Sequence, residues 1–220
     1  MNEKFIALNS EIYNYVARHR SRDTLDVLLE ELAEKTSALG GISAMQISCE
    51  QGAFFSILVG AVGARNAIEI GTFTGYSSLC IARGLPSDGK LLCLDQSEEW
   101  TSIAREYWQR AGLDSKIELC IGDAKSTLAA LSETEQFDFA FVDADKIGYD
   151  AYYEMLLPRL QPNALIIFDN MLSGGRVVGE DAENENVRAI NALNGKLAGD
   201  TRVESVLLPI ADGLNVCRKK

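Results

Sequence analysis

Ala67-Ile68-Glu69-Ile70-Gly71-Thr72-Phe73-Thr74-Gly75-Tyr76-Ser77 is the stretch on which the fold turns. A short apolar run, Ala67 to Ile70, meets two glycines and then a helical segment beginning near Tyr76. A run this brief, bounded by turn residues, reads as a strand buried on both faces. The glycines permit a tight strand-to-helix turn and a close approach of backbone to a ligand, and the helix N-terminus faces whatever lies there. The same pattern recurs downstream. Leu91 to Leu94, Ile117 to Ile121, Phe137 to Val142 and Leu165 to Phe168 are further apolar runs at about one βαβ repeat. Between them Trp100, Ile103, Ala104, Tyr107 and Trp108 form one helical stripe, and Tyr152, Tyr153, Leu156 and Leu157 another, both read as core packing. The expectation is an α/β chain with a parallel sheet and helices on both faces.

Before residue 67 the periodicity is helical. Phe5, Leu8, Ile12, Tyr15 and Val16, then Leu25, Leu28, Leu29, Leu32 and Leu39, predict two amphipathic helices stopped at Gly40-Gly41. Ser48 followed by Gln51 predicts a capping box on a third helix ending near Gly63. Past Asn170 come a Gly-rich, acidic loop through Gly179 and Asp181 and a helix from about Asn186 to Leu197. Val203 to Leu208 and Leu214 to Arg218, joined through Ala211-Asp212-Gly213, predict a closing antiparallel hairpin. His19 falls where it would cap the end of the first helix.

Composition removes several function classes. The chain has 220 residues, 47% hydrophobic and 24% charged, which favours one globular domain. With 21 basic and 32 acidic side chains the formal net charge is -11, which argues against nucleic acid and anionic membranes as partners. Cys49, Cys80, Cys93, Cys120 and Cys217 show no CxxC spacing and read as buried free thiols; with no leader or apolar span evident, a cytoplasmic setting is expected. The single histidine, His19, excludes Ser/His/Asp hydrolysis and His-rich zinc sites.

In open α/β sheets ligands bind beyond the carboxyl ends of the strands. The first strand ends at the Gly71 turn, where Phe73 occupies the position of the glycine that admits a pyrophosphate. That favours a nucleoside ligand over a dinucleotide, although the turn alone is equally consistent with no ligand. Asp95 ends the second strand, placed either to accept from ribose hydroxyls or to cap the next helix. Gly122-Asp123-Ala124 ends the third, with room for an adenine. Asp143, Ala144, Asp145 and Lys146 end the fourth, and Asp169 and Asn170 the fifth. Adjacent strands would bring Asp143, Asp169 and Asn170 together as hard oxygen donors suited to Mg²⁺, Ca²⁺ or Mn²⁺. Helix caps and a pairing of Asp143 or Asp145 with Lys146 explain the same residues equally well.

Taken together, EIGTFTGYS (69–77), FDFAFVDADK ending at Lys146, LIIFDN ending at Asn170 and LLPIADGLNVCRK near the C-terminus resemble the metal-dependent class I O-methyltransferases. The group is that of catechol and caffeoyl-CoA O-methyltransferases, especially the bacterial members, and the likeness runs from about Met45 onward. It implies a Rossmann-like class I methyltransferase fold, a mostly parallel seven-stranded sheet with the C-terminal antiparallel hairpin. One domain over 1–220 would have residues 1–44 as a helical cover and 45–220 as the core. The resemblance implies S-adenosylmethionine as cofactor, held by Ile47, Glu69, Gly71, Thr72, Ser77, Asp95, Ala124 and Asp143. It also implies a divalent cation, Mg²⁺ first, with Ca²⁺ or Mn²⁺ as alternatives, on Asp143, Asp169 and Asn170. Lys146 stands where the family has its candidate general base, and a homodimer is expected.

Cys49 replaces the proline usual after MQ-x-S, and Leu172 stands where members with flat phenolic acceptors often carry tryptophan. The N-terminal insertions of acyl-CoA-specific plant enzymes are not recognisable, so a CoA-linked acceptor is not expected. The expected reaction is methyl transfer to one hydroxyl of a small-molecule phenolic acceptor of catechol type, with Lys146 taking the proton once a nearby cation makes its ammonium form costly. A nicotinamide-dependent oxidoreductase and a non-catalytic cofactor-binding protein are the competing readings. Phe73 weighs against the first, and the intact set Asp143, Lys146, Asp169 and Asn170 against the second.

Overall fold

The apolar runs become a single seven-stranded sheet in the computed structural model, which describes residues 6–179 and 184–220; Phe5 of the first helical stripe and Asp181 of the acidic loop lie outside these. The strands are β1 (Asn66–Ile70), β2 (Lys90–Asp95), β3 (Ile117–Ile121), β4 (Phe137–Val142), β5 (Leu160–Phe168), β6 (Val203–Leu208) and β7 (Leu214–Lys219). Their order is β3-β2-β1-β4-β5-β7-β6. The first five are parallel, and β7 runs antiparallel between β5 and β6. The helices are α1 (Ser10–Arg18), α2 (Thr24–Ser37), α3 (Cys49–Ala61), α4 (Tyr76–Gly84), α5 (Glu98–Arg110), α6 (Ala124–Ala130), α7 (Tyr149–Leu156) and α8 (Glu185–Gly199).

The period-two alternation of the strands sorts the interior into two layers. Ala67, Cys93, Phe139, Phe141 and Ile167 face α2, α3, α4 and α5. Ile68, Ile70, Ala140, Val142, Ile166 and Phe168 face α6, α7 and α8. Continuous apolar runs are therefore required, because neither face of the central strands meets water.

Most element boundaries follow the sequence pattern, with one extension. β5 begins at Leu160 rather than Leu165, and its pairing with β4 slips between Phe137 and Phe139. The extra residues include Pro162, which has no N–H to give a ladder, and Asn163 at φ 68°, a bulge that hides strand character from the sequence. His19 sits at the C-cap of α1, its Nδ1 2.7 Å from the Tyr15 carbonyl and its ring stacked on Tyr15. Cys80, Cys93 and Cys217 are buried thiols, whereas Cys49 and Cys120 are only partly covered, contrary to the expectation for all five.

Gly40–Ala61, a 3-10 turn leading into α3, has the length and a mean hydropathy of 1.2 compatible with a membrane span. Its Gln51, Gly52, Phe55 and Val59 are buried. α3 lies against α4 at backbone distance: a Cβ on Gly52 would be 2.7 Å from Cys80 Sγ, and one on Gly84 would be 2.6 Å from the Ser56 carbonyl oxygen. α1, by contrast, buries none of its residues, and Tyr15 and Val16 are exposed.

Because the Ser56 carbonyl cannot yield without moving α3, Gly84→Ala is expected to cost about 1–3 kcal/mol, the usual range for overpacking. Urea unfolding should show a lower midpoint at unchanged slope; an unchanged midpoint would mean that the helices separate freely.

Candidate active site

The backbone ladder continues one step past the strands. The Gly71 N–H donates to the Leu94 carbonyl at 2.9 Å, Asp143 to Ile70 at 2.8 Å, Asp169 to Val142 at 3.1 Å and Gly122 to Asp95 at 2.8 Å. These bonds fix the first residue after each strand in a row at the sheet's carboxyl edge. Gly71 has φ 91°, and a Cβ there would stand 2.0 Å from the Asp143 carbonyl oxygen, so only glycine fits. The turn is held from the next strand. Asp95 Oδ2 accepts from the backbone N–H groups of Thr72 and Phe73, each at 2.8 Å, while its Oδ1 accepts from the Ser97 N–H at 2.7 Å. The α5 cap is Ser97, not Asp95. Asp95 instead orders the glycine turn, and it lines the cavity above it.

That cavity has a volume of about 790 Å³. Ile47, Gly71, Thr72, Ser77, Asp95 and Ala124 line one part, and Asp143, Lys146, Asp169 and Asn170 another. Glu69 is the exception among the predicted residues. It is fully buried behind the wall, because side chains on β1 alternate and its own points into the layer containing Cys93. Glu69 Oε2 accepts from Cys93 Sγ at 3.4 Å, and Oε1 has no hydrogen-bond partner. Burial pushes the Glu69 carboxyl up from 4.5 to about 7, against the opposing pull of the Ser77, Cys93 and Thr72 side chains.

At the acidic end one hydrogen-bond chain joins both strand ends. Lys146 Nζ donates to Asp143 Oδ1 at 2.8 Å and to Tyr149 Oη at 2.7 Å, and Tyr149 Oη donates to the Asp169 carbonyl at 3.1 Å. The Asp169 carboxylate is buried, and its Oδ2 accepts from Gln51 Nε2 at 2.7 Å. Burial raises the Asp169 pKa, and the neighbouring Asp143 charge raises it further. No group of three His, Cys, Asp or Glu that could hold a metal converges among the described residues; the expected cation set has two carboxylates, Asp143 and Asp169, and the Asn170 amide. Asn170 itself is at φ 56°.

Trp100, Ala211 and Asp212 are lining residues that escape the sequence pattern. Trp100 belongs to the α5 stripe yet stands on the cavity wall, its ring centroid 5.9 Å from that of Phe73. Tyr76 and Tyr152 border the cavity, whereas Tyr149 lies beneath it, fully buried. Asp212 and Ala211 arrive from the β6–β7 connection. Leu172 turns away from the cavity against Gly213, whose Cβ would lie 2.5 Å from Leu172 Cγ. The aromatic surfaces available to a flat ligand are instead Phe73, Trp100, Tyr76 and Tyr152. The position of Asp212 after a hairpin signal was the one cue in the sequence for this contribution.

Known proteins place this geometry in a family. The O-methyltransferase family profile matches residues 18–220. A Dictyostelium discoideum protein named "Probable caffeoyl-CoA O-methyltransferase 2" is 40% identical over 218 residues, covering 97% of this chain and 94% of its own. The crystal structure of an O-methyltransferase from Bacillus cereus in complex with S-adenosylhomocysteine is similar at a TM-score of 0.86 and 34% identity, covering 96% of this chain and 97% of that one. TomG from Streptomyces achromogenes, an O-methyltransferase of tomaymycin synthesis solved with S-adenosylmethionine, is similar at a TM-score of 0.84 and 27% identity, over 96% of each chain. The Gly71 turn and the acidic strand ends are thus those of an enzyme, and the chain belongs to the O-methyltransferase family, as a class I S-adenosylmethionine-dependent methyltransferase.

Proposed function

We propose that the protein methylates one hydroxyl of a vicinal diphenol with the help of a divalent cation. One observation carries this reading: the glycine turn and the set Asp143, Lys146, Asp169 and Asn170 open into the same cavity. The residues fit both bound groups. Gly71 leaves its turn free of side chain, with space that a Cβ would close against the Asp143 carbonyl. Asp143, Asp169 and Asn170 offer only hard oxygen donors, and the raised pKa of Asp169 marks a carboxylate that gains from a positive neighbour.

Gly71, Thr72 and Ser77 would receive the cofactor's amino acid part, Asp95 its ribose, and Ala124 its adenine, with Ile47 covering it and Glu69 acting from behind the wall. Asp143, Asp169 and Asn170 would hold the cation, with Mg²⁺ the first candidate. S-Adenosylmethionine supplies an electrophilic methyl, and the cation supplies a positive charge that acidifies and orients the paired hydroxyls. Lys146 takes the hydroxyl proton at Nζ. When bound, the cofactor would supply the methyl for the new O–CH₃ bond and leave as the neutral thioether that keeps the electron pair of the broken S–CH₃ bond. Asp143 and Tyr149 hold Nζ in place for that transfer. Phe73, Trp100, Tyr76 and Tyr152 exclude water from the reacting ends.

Among the described residues that line the cavity, Lys146 is the sole basic side chain, against Asp95, Asp143, Asp145, Asp169 and Asp212. That field opposes a polyanionic carrier, so a free diphenol is the favoured acceptor. The same balance speaks against nucleic acid as a partner. The exposed Tyr15 and Val16 of α1 leave a face on which a second subunit of a homodimer would sit, and a cytoplasmic setting suits five unpaired thiols.

An acceptor screen with labelled S-adenosylmethionine should give methylated catechols with Mg²⁺ and lose them with EDTA; turnover undiminished by EDTA would refute the cation's part. Asp143→Ala should abolish metal-stimulated turnover. Lys146→Met should lower kcat by about 10²–10⁴, the usual contribution of a positioned base, with KM for the acceptor little changed. Glu69 gives a separate test. Its folded pKa lies above its ordinary value, so the native state binds the extra proton and loses stability as pH rises from about 4.5 through about 7. The full effect is about 3 kcal/mol. Urea midpoints of the ligand-free protein should fall across that window, and Glu69→Gln should flatten the fall; parallel curves for the two proteins would remove Glu69 as its source.

A further inference from the structure

The third residue of α3 reaches into the acidic end of the site from the opposite side. Gln51 is 1% exposed, and its amide spends both ends on specific partners. Nε2 donates to Asp169 Oδ2 at 2.7 Å, and Oε1 accepts from the Ser48 backbone N–H at 3.4 Å. The second contact belongs to the capping box that starts α3. The residues immediately before that cap, Ala44 to Ser48, form a wall of the cavity and include Ile47. One side chain thus ties the wall segment to the buried carboxylate. α3 packs closely on α4 through Gly52 and Gly84, so a shift of α3 toward α4 to suit either partner alone meets Cys80 and the Ser56–Gly84 contact.

We propose that Gln51 is a positioning residue that couples occupancy of the cofactor part of the cavity to occupancy of the cation part; this rests on the cation reading above. By engaging Oδ2, Gln51 fixes the Asp169 carboxylate plane and leaves Oδ1 to define the donor set. By engaging the Ser48 N–H, it makes the placement of Ile47 depend on that same carboxylate. Ordering either side then lowers the cost of ordering the other, and linkage requires the effect to be reciprocal. Direct electrostatics would act in the opposite sense, because a sulfonium and a metal cation repel. S-Adenosylhomocysteine, which lacks the sulfonium charge, is therefore the probe that isolates the structural route.

Isothermal titration of the full chain with S-adenosylhomocysteine, with and without saturating Mg²⁺, measures the coupling. In the wild type Mg²⁺ should tighten the Kd by about fivefold or more, at the lower end of ordinary allosteric factors. In Gln51→Met, which keeps the shape but loses both hydrogen bonds, the factor should drop below about twofold while each probe still binds alone. Gln51→Asn, one methylene too short to span the two partners, should behave likewise if the methionine variant does not fold. If neither folds, the side-chain amide resonance of Gln51 in the wild type decides: it should move on addition of either probe alone, and an unmoved resonance overturns the proposal. A wild type that binds both probes independently, or a folded variant that keeps the full factor, also overturns it and leaves the cation reading standing. A wild type that binds S-adenosylhomocysteine but no Mg²⁺ removes the cation reading itself.

Discussion

The contact between Gly71 and the Asp143 carbonyl, where a Cβ would be 2.0 Å from the oxygen, is the constraint on which the site depends. β1 and β4 are neighbours although two strands separate them in the chain, because the strand order reverses beside β1. Such a reversal leaves a crevice between helices that pass to opposite faces. Here the crevice is narrowed until backbone touches backbone. The turn after β1 and the acidic end of β4 then stand at the separation of adjacent strands, about 5 Å. Any side chain at residue 71 would force them apart and widen the floor of the cavity that both line.

A cavity with this electrostatic character is costly to the empty protein. Asp169 and Glu69 are held out of water with few partners, and both carboxyls resist ionisation as a result. Lys146 offsets part of the charge through Asp143, and the Tyr149 hydroxyl extends that offset to the β5 end. Stability is thus given up at the cavity and directly behind its wall, a recurrent trade in enzymes.

The sheet was legible in the sequence because strands buried on both faces leave uninterrupted apolar runs, and the polar residues that end those runs mark its functional edge. Gly71, Asp143 and Asp169, which line the cavity, were placed at the ends of those runs in this way. What stayed hidden has identifiable causes. Pro162 and the positive φ of Asn163 mask the first half of β5. Glu69 was given a cofactor role by the family resemblance, and the apolar run alone did not show that side-chain alternation on β1 sets it behind the cavity wall, in the layer with Cys93. Trp100 satisfies the helical stripe of α5 while lining the cavity, so periodicity cannot separate the two roles. Gln51 was visible only as a capping residue, because its partner Asp169 lies 118 positions away. Side chains that bridge distant segments leave no local signature.

The placement of β7 has a consequence for how the molecule is made. β6 precedes it in the chain but occupies the outer edge, and β7 fills the gap beside β5. Until residues 214–219 emerge during synthesis, Leu165 to Phe168 of β5 present one open row of backbone donors and acceptors, flanked by the most apolar part of the sheet. That is the condition under which partly made chains pair with one another. The connection that carries Ala211 and Asp212 to the cavity rim is fixed by the same late insertion, through the Met171 and Leu172 N–H groups that donate to Gly213 and Asp212. Protection of the nascent chain from aggregation and completion of the cavity rim are therefore one event, and they occur together once β7 has been made.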